Sequence, residues 1–92
     1  MKSINLKIVV SGMVQMVGFR WYAKQQADFL HIKGYVRNTV RGEVEIFAQG
    51  PGDVMPQFED MIRQGPSRSR VERFLREEVN TDKVYEKFSI RM

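Results

Sequence analysis

Apolar residues recur along this chain with the period of a strand, then of a helix, then of a strand again, and this succession does most to limit the available folds. Ile4, Leu6, Ile8 and Val10 alternate with Asn5, Lys7 and Val9, which predicts a half-buried strand over residues 4–10. The pattern breaks at Ser11-Gly12. Phe19, Tyr22, Ala23, Gln26, Ala27 and Leu30 then fall on one face of a helix, with Gln26 its one polar member. Beyond Gly34, residues 35–39 and 43–48 read as short strands joined through Val40-Arg41-Gly42, a β-hairpin. Gly50-Pro51-Gly52 ends the hairpin, and Asp53 is placed to cap a second helix. That helix carries the stripe Val54, Phe58, Met61 and Ile62, tolerates Pro56 in its first turn, and stops at Gly65-Pro66. Residues 71–79 look extended, but Val71, Phe74 and Leu75 do not share one parity, which predicts a bulge or an edge position. Phe88 and Ile90 alternate in a last short strand expected to dock on the sheet edge.

Strand, helix, hairpin, helix, strand in this order is the ferredoxin-like βαββαβ arrangement. The expected fold is therefore α+β: an antiparallel sheet with two helices packed on one face, in a single domain over residues 1–92. In this arrangement the first and second strands point the same way, with the third antiparallel between them. The loop after the first strand and the end of the second then lie at one edge of the sheet, about 9–10 Å apart. Long side chains can converge across that gap.

A chain of 92 residues is too short for a dinucleotide-binding or TIM-barrel enzyme. It has no cysteine and one histidine, which removes disulfide scaffolding, Cys-based zinc sites and thiol catalysis. Lys7, Ser11, Gly12 and Gln15 interrupt the apolar start, so neither a secretory segment nor a membrane span is expected, and the reading is a soluble, cytoplasmic protein. The net charge of +4 is the one compositional hint of a partner, and five of the nine arginines lie between residues 63 and 76. Glu72, Glu77 and Glu78 are interleaved with them, so a solvated strand face is the better reading of that cluster.

The loop after the first strand, residues 12–20, is bounded by Gly12 and Gly18 and leads into a helix. Successive backbone N–H groups there can line a concave nest, and the helix N-terminus adds a favourable dipole for an anion. Arg20, at the helix start, is placed to grip an oxyanion through two parallel hydrogen bonds, although two glycines and an arginine also recur in ordinary strand-to-helix turns. Asn38, at the end of the second strand, is placed to orient a water beside that anion, or else to cap the hairpin turn. His31, at the far end of the first helix, reads as a helix-terminus residue away from this edge.

Residues 10–20, VSGMVQMVGFR, closely resemble the first acylphosphatase signature, whose core is G-x-V-Q-G-V-x-F-R. Residues 34–50, GYVRNTVRGEVEIFAQG, match the second, G-[FYW]-[AVC]-x-N-x-x-x-G-x-V-x-x-x-x-x-G. The resemblance implies an acylphosphatase: a hydrolase that cleaves the carboxyl–phosphate bond of acyl phosphates by water attack, with no metal or cofactor. It implies that Arg20 binds the phosphoryl group with the backbone of Val14, Gln15, Met16, Val17, Gly18 and Phe19. It also implies that Asn38 orients the attacking water, with Thr39 in a supporting position. This chemistry fits the residue inventory, because an acyl phosphate has a good leaving group and phosphoryl transfer is mostly positioning and charge stabilisation. The expected ligands are a small-molecule acyl phosphate and phosphate, taken by a monomer that binds neither nucleic acid nor membrane.

Met16 departs from the pattern, standing where the signature has glycine. Either it adopts a positive φ at a cost of roughly 1–2 kcal/mol, or the loop takes an ordinary φ and the thioether crowds the nest. Either would lower phosphate affinity on an intact fold if it distorts or loosens the nest; a tolerated variant with normal activity and a catalytically weakened member that binds phosphate or a protein partner stay open beside it. An RNA-recognition domain shares the element order, but the first strand carries no aromatic, the third only Phe47, and the expected aromatic-rich run is absent.

Overall fold

A computed structural model describes residues 2–92. Alternating apolar residues form β1 (Ser3–Met13), in which Leu6, Ile8 and Val10 are wholly buried. The helical stripe forms α1 (Phe19–Phe29), burying Phe19, Ala23 and Ala27. The hairpin is β2 (Lys33–Asn38) with β3 (Val44–Pro51), and the second helix is α2 (Met55–Gln64). The chain then forms β4 (Arg70–Glu78) and β5 (Phe88–Arg91). The five strands make one sheet in the order β4-β1-β3-β2-β5.

Ile8, Ile46 and Val36 lie opposite one another across β1, β3 and β2, and all are buried. This row, with Leu6, Ala48 and Val44, meets Phe19, Phe58 and Ile62 from the helices in one core cluster. Tyr22 of α1 donates its hydroxyl to the Met61 carbonyl of α2 at 2.8 Å, tying the two helices together. Gly34 has φ 135°, and a Cβ there would run into the Phe47 carbonyl, so β2 can approach β3 this closely only with glycine.

Four expectations need correction or refinement. The strand expected to end near Ser11-Gly12 continues to Met13, and the break is a bulge rather than an end. Gly12 pairs with Val71 and Ser11 with Arg73, so Glu72 is the extra residue of β4. That insertion lets Val71 and Phe74 both pack against the core despite their mismatched parity, while Leu75 stays exposed. Asp53 does not cap α2: Val54 holds the N-cap position and there is no side-chain cap bond.

The sheet, expected to be antiparallel, is mixed. β5 docks on the edge, as anticipated, but runs parallel to β2. The reason is geometric. β4 runs antiparallel to β1 and ends at the side of the sheet where β2 begins. Residues 79–87 cross there, held where Gln49 donates to the Lys83 carbonyl and accepts from the Tyr85 N–H. Starting from that side, β5 runs beside β2 in the same direction.

The arginine cluster is mostly solvated. β4 is an edge strand of alternating charges, a composition that discourages pairing with other chains. Arg76 pairs with Glu59 of α2 at 2.7 Å, and Arg63 lies over the Phe74 ring at 4.0 Å.

Candidate active site

The ends of β1, β2 and β5 share one edge of the sheet, and between them residues 14–18 form a loop leading into α1. Its side chains divide by direction. Val14 is buried, Val17 packs partly against the core, and Gln15 reaches across to the hairpin. The Gln15 amide donates to the carbonyls of Thr39 and Glu43, both at 2.9 Å. Met16 projects outward with 95% of its surface exposed.

The loop is held in a left-handed form at two places. Gly18, the N-cap of α1, has φ 79°, and Met16 has φ 64°. Of the two alternatives for Met16, the structure takes the positive φ. Methionine occupies a backbone conformation that suits glycine, and its thioether stays in solvent rather than in the nest. From Gln15 through Arg20, no loop or first-turn amide donates to a backbone carbonyl among the described residues. α1 also has no side-chain cap and no acidic residue in its first turn, so its N-terminal partial charge is uncompensated. Free amides, an open helix N-terminus and a nearby guanidinium together suit an oxyanion.

Arg20 projects from the first turn of α1 and donates from Nη1 to the Arg91 carbonyl of β5 at 3.2 Å. This bond depends on the parallel pairing of β5, which brings the C-terminal end of that strand to the same edge as Asn38. Asn38 closes β2 opposite Val44 and lies on the helix-facing side of the sheet. Arg20, Asn38, Met16, Gly18 and Phe19 line one cleft of about 240 Å³, shared with Val14, Trp21, Ile90 and Met92.

The structure thus brings Arg20, Asn38 and the loop together as the sequence suggested. It does not bring the Gln15 side chain or Val17 to the cleft, and any part they have in binding there is through backbone N–H groups. Thr39 serves the turn: its hydroxyl accepts from the amides of Arg41 and Glu43 at 3.3 and 3.2 Å. His31 is exposed at the other end of α1 with φ 59°. There the amides of His31 and Ile32 bond back to Asp28 and Ala27, a Schellman ending that histidine tolerates. Sequence reasoning missed Trp21, Ile90, Met92 and the orienting carbonyl of Arg91, because nothing local marks a contact across 71 positions.

A further charged cluster lies on the opposite face of the sheet. Glu45 is buried to 8% exposure, and burial alone raises a carboxyl pKa. Hydrogen bonds from Arg37 and Tyr35 outweigh this and hold it below its ordinary range. Glu45 therefore belongs to the sheet rather than to the cleft.

The family model described as Acylphosphatase matches residues 6–90. An acylphosphatase of Vibrio vulnificus is 40% identical over 84 residues, which cover 91% of this chain and 92% of that protein. One of Syntrophotalea carbinolica is 35% identical over 91 residues, covering 99% of each. The crystal structure of acylphosphatase from Bacillus subtilis superposes with a TM-score of 0.93 at 32% identity, covering 97% of this chain and 99% of that one.

Proposed function

This chain belongs to the acylphosphatase family, and from that premise we propose how its cleft works. It is a hydrolase acting on acyl phosphates. The phosphoryl oxygens sit in the nest of N–H groups from residues 14–19, with the Arg20 guanidinium completing the cradle. Asn38 holds a water through its carboxamide and aims it at phosphorus. The new bond forms between the water oxygen and phosphorus as the bond from phosphorus to the acyl oxygen breaks. The carboxylate leaves with the electron pair, and the water proton passes to an oxygen of the leaving carboxylate or of phosphate. A carboxylate is a stable leaving group, so no strong general acid is required. The residues' contribution is positioning and charge stabilisation.

One observation carries this reading: Arg20, Asn38 and the left-handed loop line the same cleft. The Arg91 carbonyl supports it by fixing the guanidinium. The reading of a catalytically weakened binder is not favoured. Met16 keeps the left-handed turn, and the relatives named acylphosphatase match nearly end to end. We further propose that the protein works as a single-domain monomer in the cytoplasm, on a small-molecule acyl phosphate and without metal or cofactor. No helix among the described residues is long and apolar enough to cross a membrane.

The test is hydrolysis of benzoyl phosphate with inorganic phosphate as inhibitor. Arg20→Ala is expected to lose both turnover and phosphate inhibition. Asn38→Ala is expected to lose about 10²–10³ in kcat, the scale for removing one positioned hydrogen-bonding group, while phosphate inhibits it as it does the parent. Full activity in either variant would show that the roles are wrongly assigned.

A further inference from the structure

The cleft has two unlike parts. Its inner part holds the loop, Arg20 and Asn38, and its outer part is apolar: Met16, Trp21, Ile90 and Met92 all line it. These four expose 95%, 58%, 36% and 102% of their surfaces, and they are among the largest exposed apolar groups of the chain. A domain of this size gains by burying such groups, so their gathering at one mouth is informative. They come from separate places: the loop, the exposed side of α1, and β5 with the residue after it. Ile90 lies beside Val36 in the parallel ladder and so faces the helix side of the sheet, toward Asn38. Among the described residues Arg20 is the one charged side chain on the lining, and the phosphoryl group claims it.

We infer that this rim is an acyl-binding subsite selecting acyl phosphates whose acyl group is aromatic or an apolar chain, with Trp21 and Ile90 as its specificity-determining residues. The inference rests on the acyl phosphate hydrolase reading above. With phosphorus anchored by the loop and Arg20, the acyl carbon must leave the cleft past this mouth. An apolar group there covers the indole and the isoleucine side chain and loses water on both surfaces. An acetyl group offers only one methyl to cover them. An anionic acyl group would meet apolar side chains, with Arg20 already engaged by the phosphoryl oxygens.

The experiment compares kcat/KM for benzoyl phosphate and acetyl phosphate in the parent, Trp21→Ala, Trp21→Phe and Ile90→Ala. Within each protein the ratio of the two values removes differences in folded fraction, and changes of the ratio between proteins remove the intrinsic reactivity of the two acyl phosphates. Trp21→Ala is expected to lower the benzoyl-to-acetyl ratio about ten-fold, the scale for taking an apolar group out of a pocket wall. Ile90→Ala is expected to lower it about three-fold, and Trp21→Phe to keep most of it. An unchanged ratio in both alanine variants, with the parent active, would overturn the subsite and leave the hydrolase reading standing. A parent that hydrolyses neither acyl phosphate would overturn the hydrolase reading and the subsite with it.

Discussion

Replacing Met16 by glycine should make this protein more stable, although the change removes a large apolar side chain. Met16 has φ 64°, the left-handed region. An L-residue there is strained by roughly 1–2 kcal/mol, and glycine is not. Because 95% of the methionine is exposed, its removal forfeits almost no burial. The opposing effect is the greater freedom of glycine in the unfolded chain, about 0.5–1 kcal/mol. The difference centres on about 0.75 kcal/mol of added stability, or a Tm raised by about 3–6 °C in a domain of this length. Thermal and urea unfolding without phosphate would measure it. Gly18→Ala is the matching control. Gly18 has φ 79° with nothing within 4 Å of an added Cβ, so its cost is conformational alone, about 1 kcal/mol of lost stability. Since Met16 already holds the left-handed turn, phosphate inhibition of Met16→Gly should stay within about two-fold of the parent on this reasoning. A Met16→Gly variant less stable than the parent, beside a neutral Gly18→Ala, would refute the reasoning.

Three further outcomes follow from the geometry. Gln15→Ala removes two hydrogen bonds to the hairpin; it should cost about 1–2 kcal/mol in urea unfolding and raise KM more than it lowers kcat, because the loop loses its tether. Gly34→Ala drives a Cβ into the Phe47 carbonyl at φ 135° and should destabilise by more than about 2 kcal/mol, read as a lower urea midpoint with an unchanged m-value. The depressed Glu45 carboxyl stabilises the fold above its ordinary value of 4.5, and that contribution is lost as the pH falls below 4.5 toward the folded-state value. Glu45→Gln should therefore unfold at a lower Tm than the parent at pH 7, and the two curves should converge on acidification.

Much of the site was legible because its signals are local. Gly12 to Arg20 is a contiguous loop-to-helix segment, and Asn38 ends a strand whose place beside β3 follows from a short hairpin. The stripe on α1 required Phe19 to face the core, which placed Arg20 one residue round the helix near the edge. The mismatch of Val71 and Phe74 announced a bulge, and the pairing put it at Glu72. The outer wall of the cleft was not legible. Trp21 reads as any exposed residue on the outer face of a helix, and Ile90 as one member of a short terminal strand.

The sequence by itself determined the order of elements, the membership of the core and the chemistry of the loop, because each is written in periodicity and motif over a few neighbouring residues. Only the tertiary structure decided the direction of β5, and with it the carbonyl that orients Arg20 and the apolar mouth of the cleft. The physical reason is that strand direction depends on where the previous strand leaves the chain. β4 pairs with β1 at one edge and ends on the side where β2 begins, and no local pattern in Phe88 or Ile90 records that. The φ of Met16 belongs to the same class. Methionine disfavours the left-handed region, yet buried Val14, the hydrogen-bonded Gln15 amide and the packed Val17 hold the loop around it. The residue follows the loop because its anchored neighbours outweigh its own preference.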